Sequence, residues 1–162
     1  MIFNRMLSVG VLAIALIALA TFLERESFGQ DVSSPPAKRL QERVKDYYRA
    51  LVNNEFETVW TVFLGTGMKR DTPKEEYVDI LKKTVGSSKL VPGSSEIVIG
   101  KTGTGKRERP LGKAFTPIKV MTREGETIEA HHTTIWVWQE RPTGKRDWVL
   151  AGDEIRESEK KW

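Results

Sequence analysis

The sequence predicts an α+β domain in which three N-terminal helices pack on a curved antiparallel meander sheet of about four strands. Up to Gly86 the apolar residues recur with the helical period of about 3.6, and after it they recur with a period of two. Helices grouped before strands are typical of α+β folds. The 133 residues after position 29 suit a single domain.

The first helix is predicted from a stripe of apolar residues along one face. Charged residues, Arg43 and Asp46 among them, are expected on the solvent side. The apolar stripe consists of Leu40, Val44, Tyr47, Tyr48 and Leu51. This spacing indicates that the helix lies flat on the core.

Two further helices follow from the same spacing and from local helix signals. Residues 56–64 repeat the apolar spacing after the break at Asn53-Asn54, and Gly65 is a natural stop. Thr72-Pro73-Lys74-Glu75 combines a cap, an N-terminal proline and a capping glutamate, which starts a helix that Gly86 ends.

Beyond Gly86 the alternation predicts four strands that form a meander. Their predicted ranges are 97–99, 114–122, 127–139 and 147–152. Gly-containing turns at 123–126 and 141–144 connect the last three of these strands. The highly charged residues 153–162 are expected to form a tail.

The first 29 residues are expected to direct export and to lie outside the fold. They contain 19 apolar residues, and Arg5 precedes the uncharged run 6–23. A basic start and an apolar core fit a cleaved signal peptide or, if uncleaved, a membrane anchor. Residues 30–37 form a linker. The domain is therefore expected outside the cytoplasm, periplasmic or secreted, and membrane-anchored if cleavage does not occur.

The chain has no cysteine, which excludes a disulfide scaffold, a zinc ribbon, a thiol nucleophile and an iron–sulfur site. No cofactor is expected. His131 and His132 are adjacent in a predicted strand, so their side chains point to opposite faces and cannot share one metal ion.

Two stretches resemble nuclear transport factor 2-like domains, also called cystatin-like cone domains. Residues 43–60 (RVKDYYRALVNNEFETVW) resemble the opening helix, turn and second helix, and residues 147–150 (DWVL) resemble the last hairpin. The resemblance spans residues 38–152 in layout. It implies a cone-shaped domain with a pocket between helices and sheet. Members include isomerases, dehydratases, epoxide hydrolases and non-catalytic binding or dimerisation modules.

The long strand has one face rich in large rings, which we assign to the interior. With the first two helices it predicts a pocket for a small apolar ligand. The expected lining is Tyr48, Trp60, His132, Trp136 and Trp138. His132 as a base and Tyr48 as a donor would serve a lyase or isomerase. Alternatively, His132 is a satisfied core residue and the Trp rings are packing.

The resemblance does not extend to a set of catalytic residues. Steroid-isomerase-like members use a pocket Asp as base, whereas Asp46 and Asp79 lie off the apolar stripes here. The prediction is therefore a binding or interaction module without catalysis. Two alternatives stay open: the pocket enzyme, and a structural dimer that pairs through the opposite sheet face with Ile135 and Val137.

Residues 100–106 match the spacing of a phosphate-binding loop up to its lysine, but Arg107 replaces the Ser or Thr that would bind magnesium. We therefore interpret this stretch as a Gly-rich hairpin loop. Alternate turns of a meander lie at the same end of the sheet, so this loop and the last turn predict a basic rim. Its residues are Lys101, Lys106, Arg107, Arg109, Lys113, Arg141, Lys145 and Arg146.

The basic rim favours an anionic partner or a membrane surface, and the alternative is a pair of solvated loops. Nucleic acid is not an expected partner. The export signal separates the chain from it, and the rim has no interleaved aromatic residues.

Overall fold

The computed structural model describes residues 35–103 and 109–157. Residues 1–29, predicted to direct export, and residues 30–34 of the predicted linker lie outside this part of the chain. Within it, no helix is both long enough and apolar enough to cross a membrane. The described residues form helices packed on a curled antiparallel sheet, which confirms the α+β class.

The helical part begins with α1, Pro35–Val52, which starts inside the predicted linker. The second helix begins as α2, Phe56–Thr58, and continues as a π-helix, Val59–Phe63. A short helix that the sequence analysis missed, α3, spans Thr66–Asp71. The last helix, α4, spans Lys74–Thr84.

The sheet contains five strand segments: β1 (Lys89–Pro92), β2 (Glu96–Thr102), β3 (Arg109–Met121), β4 (Thr127–Glu140) and β5 (Arg146–Glu157). β3, β4 and β5 form an antiparallel meander. β1 and β2 both pair with β3 along the same edge. The sheet therefore has the four adjacent positions predicted for its strands, but two separate segments, β1 and β2, share the edge position beside β3.

The division of the edge strand has a local cause. Pro117 of β3 has no N–H to donate, and it lies opposite the gap between β1 and β2. The amide of Gly93 donates to the Pro117 carbonyl at 2.7 Å, so the ladder continues across the gap by one bond. Pro92 ends β1, and β2 begins at Glu96.

The core lies between α1 and the inner face of the sheet. Ala130, His132, Thr134 and Trp136 are buried, whereas Glu129 and His131 are exposed. This confirms the assignment of the two faces of β4. The fully buried large side chains include Tyr47, Leu40, Trp136, Trp148 and Leu150. Of these, Tyr47 contacts Trp136 edge-to-face, with 5.8 Å between ring centroids.

One residue of α1 departs from the predicted pattern. Arg43, expected on the solvent side, is only 5% exposed. Its Nη2 donates to the Val62 carbonyl at 2.7 Å and its Nε to the Trp148 carbonyl at 3.2 Å. The guanidinium also lies 4.4 Å from the centroid of the Phe63 ring. Burial is tolerated because carbonyls and a ring replace the water around the charge.

β5 extends beyond the predicted strand, through residues assigned to the charged tail. Its pairing with β4 runs from Glu140↔Arg146 to Ala130↔Glu157, with a bulge opposite Ile135 and Trp136. Residues 158–162 of that tail, including Trp162, lie outside the described residues. The strand thus brings Asp153 onto the sheet beside Thr134.

Candidate functional site

Tyr48 of α1, His132 of β4 and Asp153 of β5 form a chain of hydrogen bonds on the inner face of the sheet. The Tyr48 hydroxyl lies 2.9 Å from His132 Nδ1, and His132 Nε2 lies 3.1 Å from Asp153 Oδ2. A carboxylate only accepts, so in the neutral ring Nε2 carries the hydrogen and Nδ1 accepts from Tyr48. The sequence predicted that Tyr48 and His132 face one another, whereas Asp153 was not predicted as a partner.

The chain of hydrogen bonds leaves little room for a substrate. Tyr48 and His132 are each 4% exposed, and their polar atoms contact one another directly. Burial raises the pKa of the Tyr48 hydroxyl above its usual range, while a hydrogen bond with Thr116 opposes that shift. Ser95 extends the network, with its hydroxyl 2.7 Å from that of Thr116. These contacts fasten α1 to the sheet.

The other predicted pocket residues are three tryptophans with different surroundings. Trp136 is fully buried and donates its indole N–H to Thr134 Oγ1 at 2.8 Å. Trp138 packs edge-to-face on Trp148 with 5.4 Å between centroids. Trp60 lies on the π-helix, where the Lys69 ammonium stacks on its ring at 4.9 Å. Its buried Nε1 has no acceptor within the described part of the chain.

Two surface depressions, of about 220 and 230 Å³, lie between α2 and α4. Val78 and Lys82 line both, and neither includes Tyr48, His132 or Trp136. His131 is exposed on the outer face, opposite His132. Among the described residues no group of three or more potential metal ligands occurs.

The end of β2, the start of β3 and the β4–β5 turn lie at one end of the sheet. The register shows this, because Thr102 pairs with Arg109, Glu140 pairs with Arg146, and Leu111 of β3 lies beside Val137 of β4. We call this the basic end. Its described basic residues are Lys101, Arg109, Arg141, Lys145 and Arg146, all exposed except the half-buried Arg141.

Of the other three residues of the predicted rim, only Lys113 falls within the described part of the chain. Lys113 lies four residues along β3 from Arg109 and is half-buried. Lys106 and Arg107 fall in residues 104–108, outside the described part. A phosphate-binding loop connects a strand to a helix. In the stretch that matches its spacing, residues 100–102 instead belong to β2, and no helix follows within the described residues.

A cluster of charged residues, from the half-buried Arg39 to the buried Arg43, lies beside the basic end. Arg39 donates from Nε and Nη2 to the two Asp147 oxygens, both at 3.0 Å, and Arg43 lies 3.6 Å from Asp147. Burial by itself would raise the pKa of Asp147, but the bond from Arg39 and the charge of Arg43 hold that pKa below its usual value. Arg141 Nη1 donates to the Val62 carbonyl at 2.6 Å, beside Arg43.

Sequence reasoning missed this cluster, although one signal for it was available. Arg43 lies three residues after Leu40 and four before Tyr47, which places it at the border of the apolar stripe.

Burial also lowers the pKa of Lys69, and the nearby charge of Arg141 lowers it further. Positive charge thus extends from the turn to Lys69 of α3, whose ammonium lies over the Trp60 ring of the π-helix.

The outer face of the sheet mixes apolar and charged residues. Ile135 and Val137 are half-buried, and the side chain of Phe115 is 38% exposed. A Lys119–Glu129 ion pair at 2.6 Å crosses the same face. The charges interrupt the apolar surface.

The chain matches none of the known protein-family models, and no curated protein is significantly similar to it. The resemblance of residues 38–152 to nuclear transport factor 2-like domains therefore stays a prediction.

Proposed function

We propose that this protein is an extracytoplasmic binding module that recognises an anionic partner through the basic end of the sheet, without catalysis. The observation that carries the proposal is that two turns distant in sequence place their basic residues at one end. Of these, Lys101, Arg109, Lys145 and Arg146 are exposed. Like charges held together on a rigid support attract an opposite charge more strongly than scattered ones do.

The interior supports a role without catalysis. A general base needs room for the proton donor of its substrate, and His132 Nδ1 already has Tyr48 as its partner. The rings that would line a pocket fill it instead, since Trp136 is fully buried against Tyr47. The Tyr48–His132–Asp153 chain then serves to position α1.

The extracytoplasmic location rests on the sequence of residues 1–29, with Arg5 before the apolar run. We also propose that the domain is of the nuclear transport factor 2-like kind. The packing of Tyr47 and Tyr48 on the inner face of a curled sheet supports this, as does the closing β4–β5 hairpin. The proposed binding end does not depend on that kinship.

The test uses the full chain in a nonionic detergent, with heparin as a model polyanion and isothermal titration calorimetry as the readout. The basic-end variant combines Arg109→Gln, Lys145→Gln and Arg146→Gln. The control combines Lys45→Gln, Lys82→Gln and Lys89→Gln. All six residues are exposed, and both variants lose three of the formal +4 charges.

We expect the basic-end variant to bind heparin at least about tenfold more weakly than the control, with a shallower dependence on salt because fewer counterions are released. Equal affinities of the two variants would contradict the proposal. Binding would then follow net charge and not its location.

A further inference from the structure

The N-terminus of α1 lies at the basic end of the sheet. Arg39, in the second turn of α1, donates two hydrogen bonds to Asp147, the second residue of β5. Leu40 packs over Gly112 and Trp148 near the same end. Tyr48, farther along α1, instead reaches His132 in the middle of β4. The chain that precedes α1 therefore joins the domain from the basic end.

The residues that precede α1 include the uncharged run 6–23. Its 18 residues approach the length of about 20 that spans a bilayer. Eleven residues, 24–34, separate this run from α1. Even fully extended, they reach at most about 40 Å. β4, with 14 residues, is about 45 Å long, so the tether is shorter than the sheet and limits how far the basic end can lie from the bilayer.

We infer that the anionic partner of the basic end is the surface of the membrane in which residues 6–23 are anchored. This inference rests on the proposed function, because it names the partner of the same basic residues. A segment that spans the bilayer attaches the chain by itself, and a basic surface close to it is attracted to anionic headgroups, which orients the domain. The described part of the chain begins with α1, whose N-terminus lies at the same end of the sheet as the basic residues.

At the opposite end of the sheet, the described turn between β3 and β4 carries no excess of positive charge. This turn, residues 122–126, carries Arg123 against Glu124 and Glu126. The β4–β5 turn carries Arg141, Lys145 and Arg146 between Glu140 and Asp147, and Asp147 is already bound to Arg39. Headgroup attraction acts only within about 10 Å of the surface, so an oriented domain presents the basic end.

Because the sequence has no cysteine, single cysteines can report which end faces the lipid. The probes are Thr143→Cys in the β4–β5 turn and Glu124→Cys in the β3–β4 turn, each nitroxide-labelled in the full chain. Both positions are exposed. The chain is reconstituted into vesicles of equal phosphatidylglycerol and phosphatidylcholine, with a paramagnetic metal chelate on a minor lipid headgroup. Pure phosphatidylcholine vesicles are the comparison.

We expect relaxation of the label at position 143 to be several-fold faster than at position 124 in the anionic vesicles. The difference should fall in phosphatidylcholine, and in anionic vesicles when Lys145→Gln and Arg146→Gln are added. Glu124→Cys removes an acidic group, so it biases the comparison against this expectation. Equal relaxation at both positions in anionic vesicles, or faster relaxation at 124, would overturn the inference.

Two outcomes separate this inference from the proposed function. If heparin binding depends on the basic end but the label at 143 stays far from lipid, the function stands and the membrane is not the partner. If intact mass of the exported protein shows that residues 6–23 have been removed, the tether does not exist and the inference fails. If heparin binding is also independent of the basic end, the proposed function fails as well.

Discussion

At the scale of single residues, the polar groups inside the domain connect α1 to strands far away in the sequence. Tyr48 bonds to His132, and Arg39 and Arg43 bond to Asp147 and to backbone carbonyls. The residue types and the spacing of Tyr48 and His132 were sufficient to predict that they face one another. Asp153 could not be predicted as the partner of His132, because the bulge in β5 sets which later residues reach the inner face. Asp147 could not be predicted as the partner of Arg43, because Arg43 was expected on the solvent side of α1.

Tyr48→Phe should lower the free energy of unfolding by about 1–3 kcal/mol, because it leaves buried His132 Nδ1 without a donor. Tyr47→Phe is the matched control, since the Tyr47 hydroxyl makes no hydrogen bond to described residues and its ring contacts persist. Denaturant unfolding of both variants measures the difference. Equal losses would show that the Tyr48–His132 bond contributes nothing of its own.

Asp147→Asn should lower the free energy of unfolding by about 2–3 kcal/mol at neutral pH, because two charge-assisted bonds from Arg39 are weakened and Arg43 loses a counter-charge. The pKa of Asp147 lies below 3.8 in the folded state. Its contribution is therefore fully present above the unfolded pKa and is lost as pH falls through the folded pKa.

Unfolding of the wild type and the Asp147→Asn variant between pH 7 and pH 2 checks this dependence. The two stability curves should converge as the pH falls below about 4. A gap that stays constant down to the lowest pH would mean that the carboxylate charge is not what stabilises the fold.

At the scale of elements, the periodicity of apolar residues predicted those helices and strands whose pattern lies within their own sequence. The helices around Leu40–Leu51 and Phe56–Leu64 and the strands around β3 and β4 follow their apolar patterns. The elements missed depend on distant partners. β1 is a four-residue segment that β3 holds in place, and the end of β5 is a charged stretch that β4 pairs. The π-helix has Arg43 and Arg141 bonded to its Val62 carbonyl, which no local pattern reveals.

Gly112→Ala tests the close approach of α1 to the sheet. An added Cβ would overlap Leu40 Cδ2 and lie 3.5 Å from the Trp148 ring, and Leu40 is fully buried. Such overpacking should lower the free energy of unfolding by about 1–3 kcal/mol. Gly152→Ala is the control, because an added Cβ there meets nothing within 4 Å. Its stability should change by less than about 1 kcal/mol. Equal effects of the two substitutions would contradict this account of the packing.

At the scale of the whole molecule, the distribution of charge matters more than its sum. The formal charge of +4 is modest, but Lys101, Arg109, Lys145 and Arg146 lie at one end of the sheet. A meander places alternate turns together, so the sequence was sufficient to predict this arrangement. It left open whether the interior rings line a pocket or pack together, since the contact of Tyr47 with Trp136 depends on how α1 approaches the sheet.

The most direct test of the central claim, that the basic end is the binding surface, is a backbone amide NMR titration of the full chain in detergent with short heparin fragments. We predict that the largest shift changes fall in residues 101–103, 109 and 141–146. Changes centred on the β3–β4 turn, residues 122–126, or on the inner residues Tyr48 and His132 would contradict it.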